Sequence, residues 1–295
     1  MNSFLQQKLK GVLMDSLDSE NSGYNSDSTE QGIPEEEEAE LNHSDKLIGV
    51  LSEPKSMFEK ASHFKPRTID WLLPVLLLFL AAAITNIIMM SNPEIRMTVQ
   101  EKQVEQMRKN FDEAVQKGQM SREQADEQIN KIQDNMKNIG MGVTVVITIL
   151  SVFIMGFILF FLMAAIYFIF MRFIFRDEGN FTSVLVASGM VSYITIIQLI
   201  VAAILAMAFG RIIGDTSLAA FLNTDRMSYL GWFLAKIDPF SIWAYIVLSI
   251  GLAKMSRSNS TGKYFAVVFG VWLIGGFALF AIAKSLPFFR MFTGA

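Results

Sequence analysis

From Gly140 to Met171 the chain runs for 32 residues without one charged side chain. A helix built from such a run has no polar face to turn to water, so it lies in lipid or inside a membrane bundle. At ~1.5 Å per residue it is about 48 Å long, more than a ~30 Å hydrocarbon core, and must tilt or extend into the interface. Four further apolar runs follow the same logic, at about 72–90, 181–210, 238–253 and 264–283. The run 238–253 is the outlier, since at ~1.5 Å per residue it reaches only about 24 Å. The chain as a whole is 52% hydrophobic and 18% charged, below the ~25% charge of a soluble domain. The fold class expected is all-α: a polytopic, five-helix transmembrane bundle.

Several function classes are disfavoured by what the chain lacks. It has no cysteine, which removes disulfides, thiolate metal sites and cysteine nucleophiles. Its two histidines, His43 and His63, both precede the first apolar run, a poor basis for a metal centre or a catalytic triad. No phosphate loop and no paired intramembrane carboxylates occur. The formal net charge is −3, with no basic footprint for nucleic acid. The expectation is a non-enzymatic protein without a cofactor.

The polar segments have their own patterns. Residues 1–46 read as a disordered acidic tail, with the run Glu35–Glu38 and a short amphipathic stripe at Phe4, Leu5, Leu9, Val12, Leu13 and Leu17. No compact apolar core or cleavage site marks a signal peptide. Ser52-Glu53-Pro54-Lys55 is a helix start, and Met57, Phe58 and Ala61 could face a bundle. Residues 94–139 predict an extramembrane helical hairpin. Val104, Met107, Phe111 and Val115 stripe one arm, and Ala125, Ile129, Ile132, Met136 and Ile139 the other. Between the arms, Gly118 suits a left-handed helix end, and Ser121 with Gln124 makes a capping box. Residues 211–237 predict one or two interfacial amphipathic helices. Residues 286–295 are a short tail.

The candidate functional positions are Ser188, Ser192, Tyr193, Gln198, Asp238 and Pro239. Ser188, Ser192 and Thr195 share one face of the third span, with Gly189 beside them. Small and hydroxyl residues let membrane helices approach closely, which favours packing over a polar path for a substrate. Asp238 can cap the fourth span, and Pro239 sits at its first position, where a missing N–H costs nothing. The loops 172–180 and 254–263 hold five Lys/Arg, which places them and the N-terminus in the cytoplasm and the C-terminus outside.

The stretch Leu234-Ala235-Lys236-Ile237-Asp238-Pro239-Phe240-Ser241-Ile242-Trp243 through Ile250-Gly251-Leu252-Ala253 resembles the Yip family of polytopic membrane proteins, in its bacterial branch. Ser52-Glu53-Pro54-Lys55-Ser56-Met57-Phe58 and the region around Ser192-Tyr193 agree with it. The resemblance covers about 47–285 and implies five membrane helices and a cytoplasmic N-terminus; the location expected is the inner (cytoplasmic) membrane. Eukaryotic relatives are linked to Rab-type GTPases, but the tyrosine- and glycine-rich motifs of that branch have no clear match here, so that role is not carried over. The function expected is an adaptor or membrane-organising protein. The alternative is a transporter, channel or lipid-moving protein using the third to fifth spans. Candidate partners are membrane lipid, a protein docked on the hairpin or the tail, and a second copy of the chain.

Overall fold

The computed structural model describes residues 40–138 and 141–285. The tail pattern over residues 1–17, the run Glu35–Glu38, the junction at 139–140 and the C-terminal tail lie outside them. All regular structure among the described residues is helical: α1 (His43–Ser52), α2 (Pro54–His63), α3 (Thr68–Ser91), α4 (Pro93–Gln116), α5 (Arg122–Asn138), α6 (Met141–Ile169), α7 (Phe181–Met190), α8 (Ser192–Phe209), α9 (Leu218–Leu222), α10 (Tyr229–Ala235), α11 (Pro239–Met255), α12 (Gly262–Gly270) and α13 (Gly276–Ser285). One π-helical turn, Phe170–Ile174, extends α6, and another, Val271–Gly275, joins α12 to α13. Among the described residues four helical stretches are long and apolar enough to cross a membrane: Thr68–Ser91, Val145–Ile174, Phe181–Phe209 and Gly262–Ser285. A fifth span arises if α10 and α11, bent by 60° at the break between them, are counted as one. The chain is a multi-pass membrane protein.

Local chemistry sets the helix ends. Asn92 caps α4 through the N–H groups of Glu94 and Ile95, with Pro93 at its first position. Gly118 has φ +69° between the hairpin arms. The backbone of Ser121 donates to Gln124 Oε1 and that of Gln124 to Ser121 Oγ, which is the predicted capping box. Arg122 pairs with Asp112 across the turn.

Two boundaries differ from expectation. Residues 42–46, expected in the tail, begin α1: Asn42 caps Asp45 N–H, and Lys46 and Val50 are buried. The helix of the first span opens at Thr68, four residues before Leu72, with Asp70 and Trp71 buried on its first turn. The third span runs over Phe181–Phe209, within one residue of expectation, and a turn at Val191 divides it into α7 and α8.

Helix register shows that the spans are staggered. At one end Ser256 touches Met171, and Asp177 binds Lys263 and Tyr264, so α6, α11 and α12 finish together there. Burial pushes the Asp177 carboxyl up, but the hydrogen bonds from Lys263 and Tyr264 and the Lys263 charge outweigh it and hold it below the usual range. Trp71, by contrast, stacks on Phe160 at 5.7 Å. Phe160 lies eleven residues before Met171, so Trp71 is recessed by about 16 Å and the start of α3 by about 12 Å. At the other end the α8 and α3 termini coincide, because Gly210 abuts Glu94, and Ile95 packs with Ala202, Ala206 and Met89. There α11 is recessed. Its start meets Gln198, twelve residues and about 18 Å short of Gly210.

Each recess is filled by short helices. At the first, α2 lies along α11, with Phe58 against Gly251 and Glu59 bound to Lys254. A Cβ on Gly251 would come within 2.8 Å of the Phe58 ring, so only glycine permits this approach. At the second, the segment 211–237, with α9 and α10, closes beneath α11 through the N–H of Leu218, which donates to the Ile237 carbonyl.

Candidate functional site

Of the six sequence candidates, Tyr193 joins a polar cluster at the first recess, Gln198, Asp238 and Pro239 meet at the second, and Ser188 and Ser192 stand apart. Tyr193 and Gln198 are five residues apart, which turns them about 140° away from each other on a helix. They therefore serve different neighbours.

At the first recess, the Tyr193 hydroxyl and His43 Nε2 are 2.5 Å apart. Lys46 Nζ donates to Asp70 Oδ2 at 2.8 Å, and both side chains are about 5% exposed. Arg67 lies 3.9 Å from the same oxygen and 3.1 Å from Glu40. His43 Nδ1 and Asp70 Oδ1 face each other at 4.0 Å, each buried without a hydrogen bond. Burial holds the His43 pKa below its ordinary value, and Lys46 and Arg67 push the same way against Asp70. This cluster fastens α1 to the membrane bundle.

At the second recess, Asp238 is 2% exposed and caps α11 through the N–H groups of Phe240 and Ser241 at 3.1 and 3.5 Å. Pro239 occupies the first position as expected. The carboxylate also accepts from Gln198 Nε2 at 2.6 Å, Thr216 Oγ1 at 2.6 Å and Ser241 Oγ at 3.0 Å. Five donors and the positive helix end thus face one buried anion, the arrangement that makes a carboxylate tolerable away from water. The cluster ties the third span, the 211–237 segment and the fourth span together.

Among the described residues Ser188 Oγ is buried without a hydrogen-bond partner. Ser192 is buried on the first turn of α8. Gly189 packs on Trp71, whose backbone would lie 2.6 Å from an added Cβ. His43, Lys46 and Asp70 were not among the candidates. The signals for them were present in Asn42 ahead of an apolar spacing at Leu47, Val50 and Leu51, and in Asp70 immediately before Trp71. Their partners lie 24 and 150 residues away in sequence, beyond the reach of local pattern. Among the described residues no group of His, Cys, Asp and Glu could hold a metal ion.

Four cavities stand out, and all lie toward the ends or sides of the bundle. The largest, about 840 Å³, runs between α4 and residues 212–227. Another of about 350 Å³ is lined by Ser62–Pro66, Gly179, Asn180 and Arg257. Neither these nor the other two are lined by Ser188, Ser192, Tyr193 or Gln198.

Comparison with known proteins gives one match. A family model described as the Yip1 domain matches residues 48–282. No curated protein and no solved structure matches the chain.

Proposed function

The chain belongs to the Yip1 domain family, and from that premise we propose that it is a non-enzymatic membrane-organising protein that also docks a partner through its α4–α5 hairpin. The observation that carries this reading is the stagger. A 17-residue α11, recessed at one end, stands beside 24-residue and 29-residue spans. A bilayer accommodates a short span by thinning next to it, at a fraction of a kcal/mol per ångström. The amphipathic fillers at the two recesses, α1–α2 and α9–α10, suit an interface drawn inward. Tyr193 and Gln198 are occupied by protein partners, which supports a structural role for them over a solute path. The same reading places the protein in a cytoplasmic membrane with the basic loops and the N-terminus inside.

The test uses the protein in liposomes of defined acyl-chain length, with its four tryptophans as reporters. Competition between brominated and ordinary lipids measures which lipids surround it. The expected result is enrichment of short-chain over long-chain phosphatidylcholine at the protein surface. Equal occupancy, or preference for long chains, would refute the reading. The thin step also favours a second reading, lipid movement, because a thinner bilayer lowers the barrier for a headgroup to cross. Dithionite bleaching of a labelled lipid separates the two: organisation alone gives the rate of empty liposomes.

A further inference from the structure

The outer edge of the second recess carries two lysines that lie over aromatic rings and, among the described residues, have no carboxylate partner. Lys236 Nζ lies over the Trp232 and Trp272 rings at 5.4 and 5.3 Å. Lys284 Nζ lies over Tyr229 at 4.1 Å and Phe280 at 5.6 Å. The rings form one wall between α10 and α13. Tyr229 meets Phe280 at 5.4 Å, and Trp232 meets Phe277 at 5.1 Å and Phe280 at 6.0 Å. An ammonium therefore stands at each end of a continuous aromatic surface.

Among the described residues neither lysine has a carboxylate within ion-pair distance, and residues 286–295 contain no Asp or Glu. The nearby acids are engaged elsewhere: Asp215 by Arg226 and Ser217, Asp225 by the Met227 N–H, and Asp238 by its five donors. At the opposite end of the bundle the arrangement is reversed, since Lys254 pairs with Glu59 and Lys263 with Asp177. The cation–π contacts orient these ammonium groups without neutralising them. Beside the wall, Leu230, Phe233, Ile274 and Phe277 are exposed, with Ile274 at 75%. A ligand that satisfies both features carries an anionic headgroup and apolar chains.

We propose that this wall binds an anionic phospholipid, its charged headgroup lying along the wall between the Lys236 and Lys284 ammonium groups and attracted by both, and its acyl chains lying along Leu230, Phe233 and Ile274. The site does not depend on bilayer thinning. It requires only that this end of the bundle reach a lipid interface.

The experiment is native mass spectrometry of the full chain released from mixed micelles that contain phosphatidylglycerol and phosphatidylcholine in equal amounts. Each lysine near a charged lipid surface is worth roughly a fivefold change in affinity, so the wild type is expected to retain phosphatidylglycerol about 30-fold over phosphatidylcholine. The double variant Lys236→Gln/Lys284→Gln is expected to lose that preference, Lys236→Arg/Lys284→Arg to keep it, and Lys254→Gln at the opposite end to leave it unchanged. Equal retention of the two lipids by wild type, or an unchanged preference in the double glutamine variant, overturns the proposal. So does a preference abolished by millimolar inorganic phosphate, which would mean that a free anion suffices. Should the double glutamine variant fail to fold, Lys284→Gln alone decides: its ammonium sits at the exposed end of α13, and a preference reduced about fivefold is expected. No reduction overturns the proposal.

Discussion

Breaking the buried pair Lys46–Asp70 should release α1 from the bundle at a cost that a double-mutant cycle can isolate. The two side chains are about 5% exposed and joined at 2.8 Å, so removing either leaves a buried charge without its main partner. Such a loss costs ~3–5 kcal/mol. After Lys46→Met, Asp70 keeps Arg67 at 3.9 Å, and after Asp70→Leu, Lys46 keeps Glu40 at 4.0 Å, but these second partners are partly exposed and each offsets only ~0–1 kcal/mol. Lys46→Met and Asp70→Leu should therefore each cost about 2–4 kcal/mol. In the double variant both charges are gone and two apolar side chains fill the space, so its stability should lie within about 1 kcal/mol of wild type. The interaction term is then several kcal/mol and opposite in sign to the single losses. Unfolding in mixed detergent and SDS gives the stabilities, and hydrogen exchange over residues 43–52 shows whether α1 has come away. Single losses below 1 kcal/mol, or a double variant that costs the sum of the singles, would refute the reasoning that this pair holds the helix.

Asp238→Ala removes an N-cap, worth ~1 kcal/mol, and leaves Gln198 and Thr216 without their acceptor at ~1–3 kcal/mol each; unfolding in detergent should show a loss above 2 kcal/mol, and a loss of a cap alone would mean that Gln198 and Thr216 find other partners. His43 has a lowered pKa in the docked state and an ordinary one near 6.5 when released. Its contribution is therefore complete above about pH 6.5 and is lost as pH falls below it, because the released state takes the proton first. Exchange over residues 43–52 should rise on acidification in wild type, within a field that also holds Asp70, Lys46, Arg67 and Tyr193, and should be flat in His43→Gln. Gly189→Ala drives a Cβ into the Trp71 backbone, and overpacking of ~1–3 kcal/mol should appear as a lower melting temperature. Because the chain has no cysteine, single cysteines at Ser260 and Gln119 report topology directly. The expected result is labelling of Ser260→Cys only from the cytoplasmic side and of Gln119→Cys only from outside.

Much of the fold follows from local chemistry. Apolar runs mark the spans because lipid tolerates only internally bonded helices. Gly118, the Ser121–Gln124 box, Pro54, Asp238 and Pro239 mark helix ends because a cap is a contact between near neighbours in the chain. What local pattern could not reveal is how far each helix slides along the next. An apolar surface is uniform along its axis, so nothing in the α11 run states that it stops at Gln198 or that Trp71 sits level with Phe160. The same limit hid the first polar cluster. Asp238 was legible as a cap, whereas Gln198 and Thr216 as its partners required the register, and so did His43 against Tyr193. The turn at Val191 has no proline or glycine at that position to announce it.

A map of the bilayer around the protein shows whether the staggered spans thin the membrane beside them. Electron cryo-microscopy of the protein in lipid nanodiscs resolves the headgroup layers around each helix. The expected map shows a headgroup layer drawn toward the midplane beside α10 and α11, at the level of Asp238 and Lys236, and beside the recessed start of α3, with a fuller thickness along α6. A flat bilayer of uniform thickness, with Asp238 well inside the hydrocarbon layer, would contradict it.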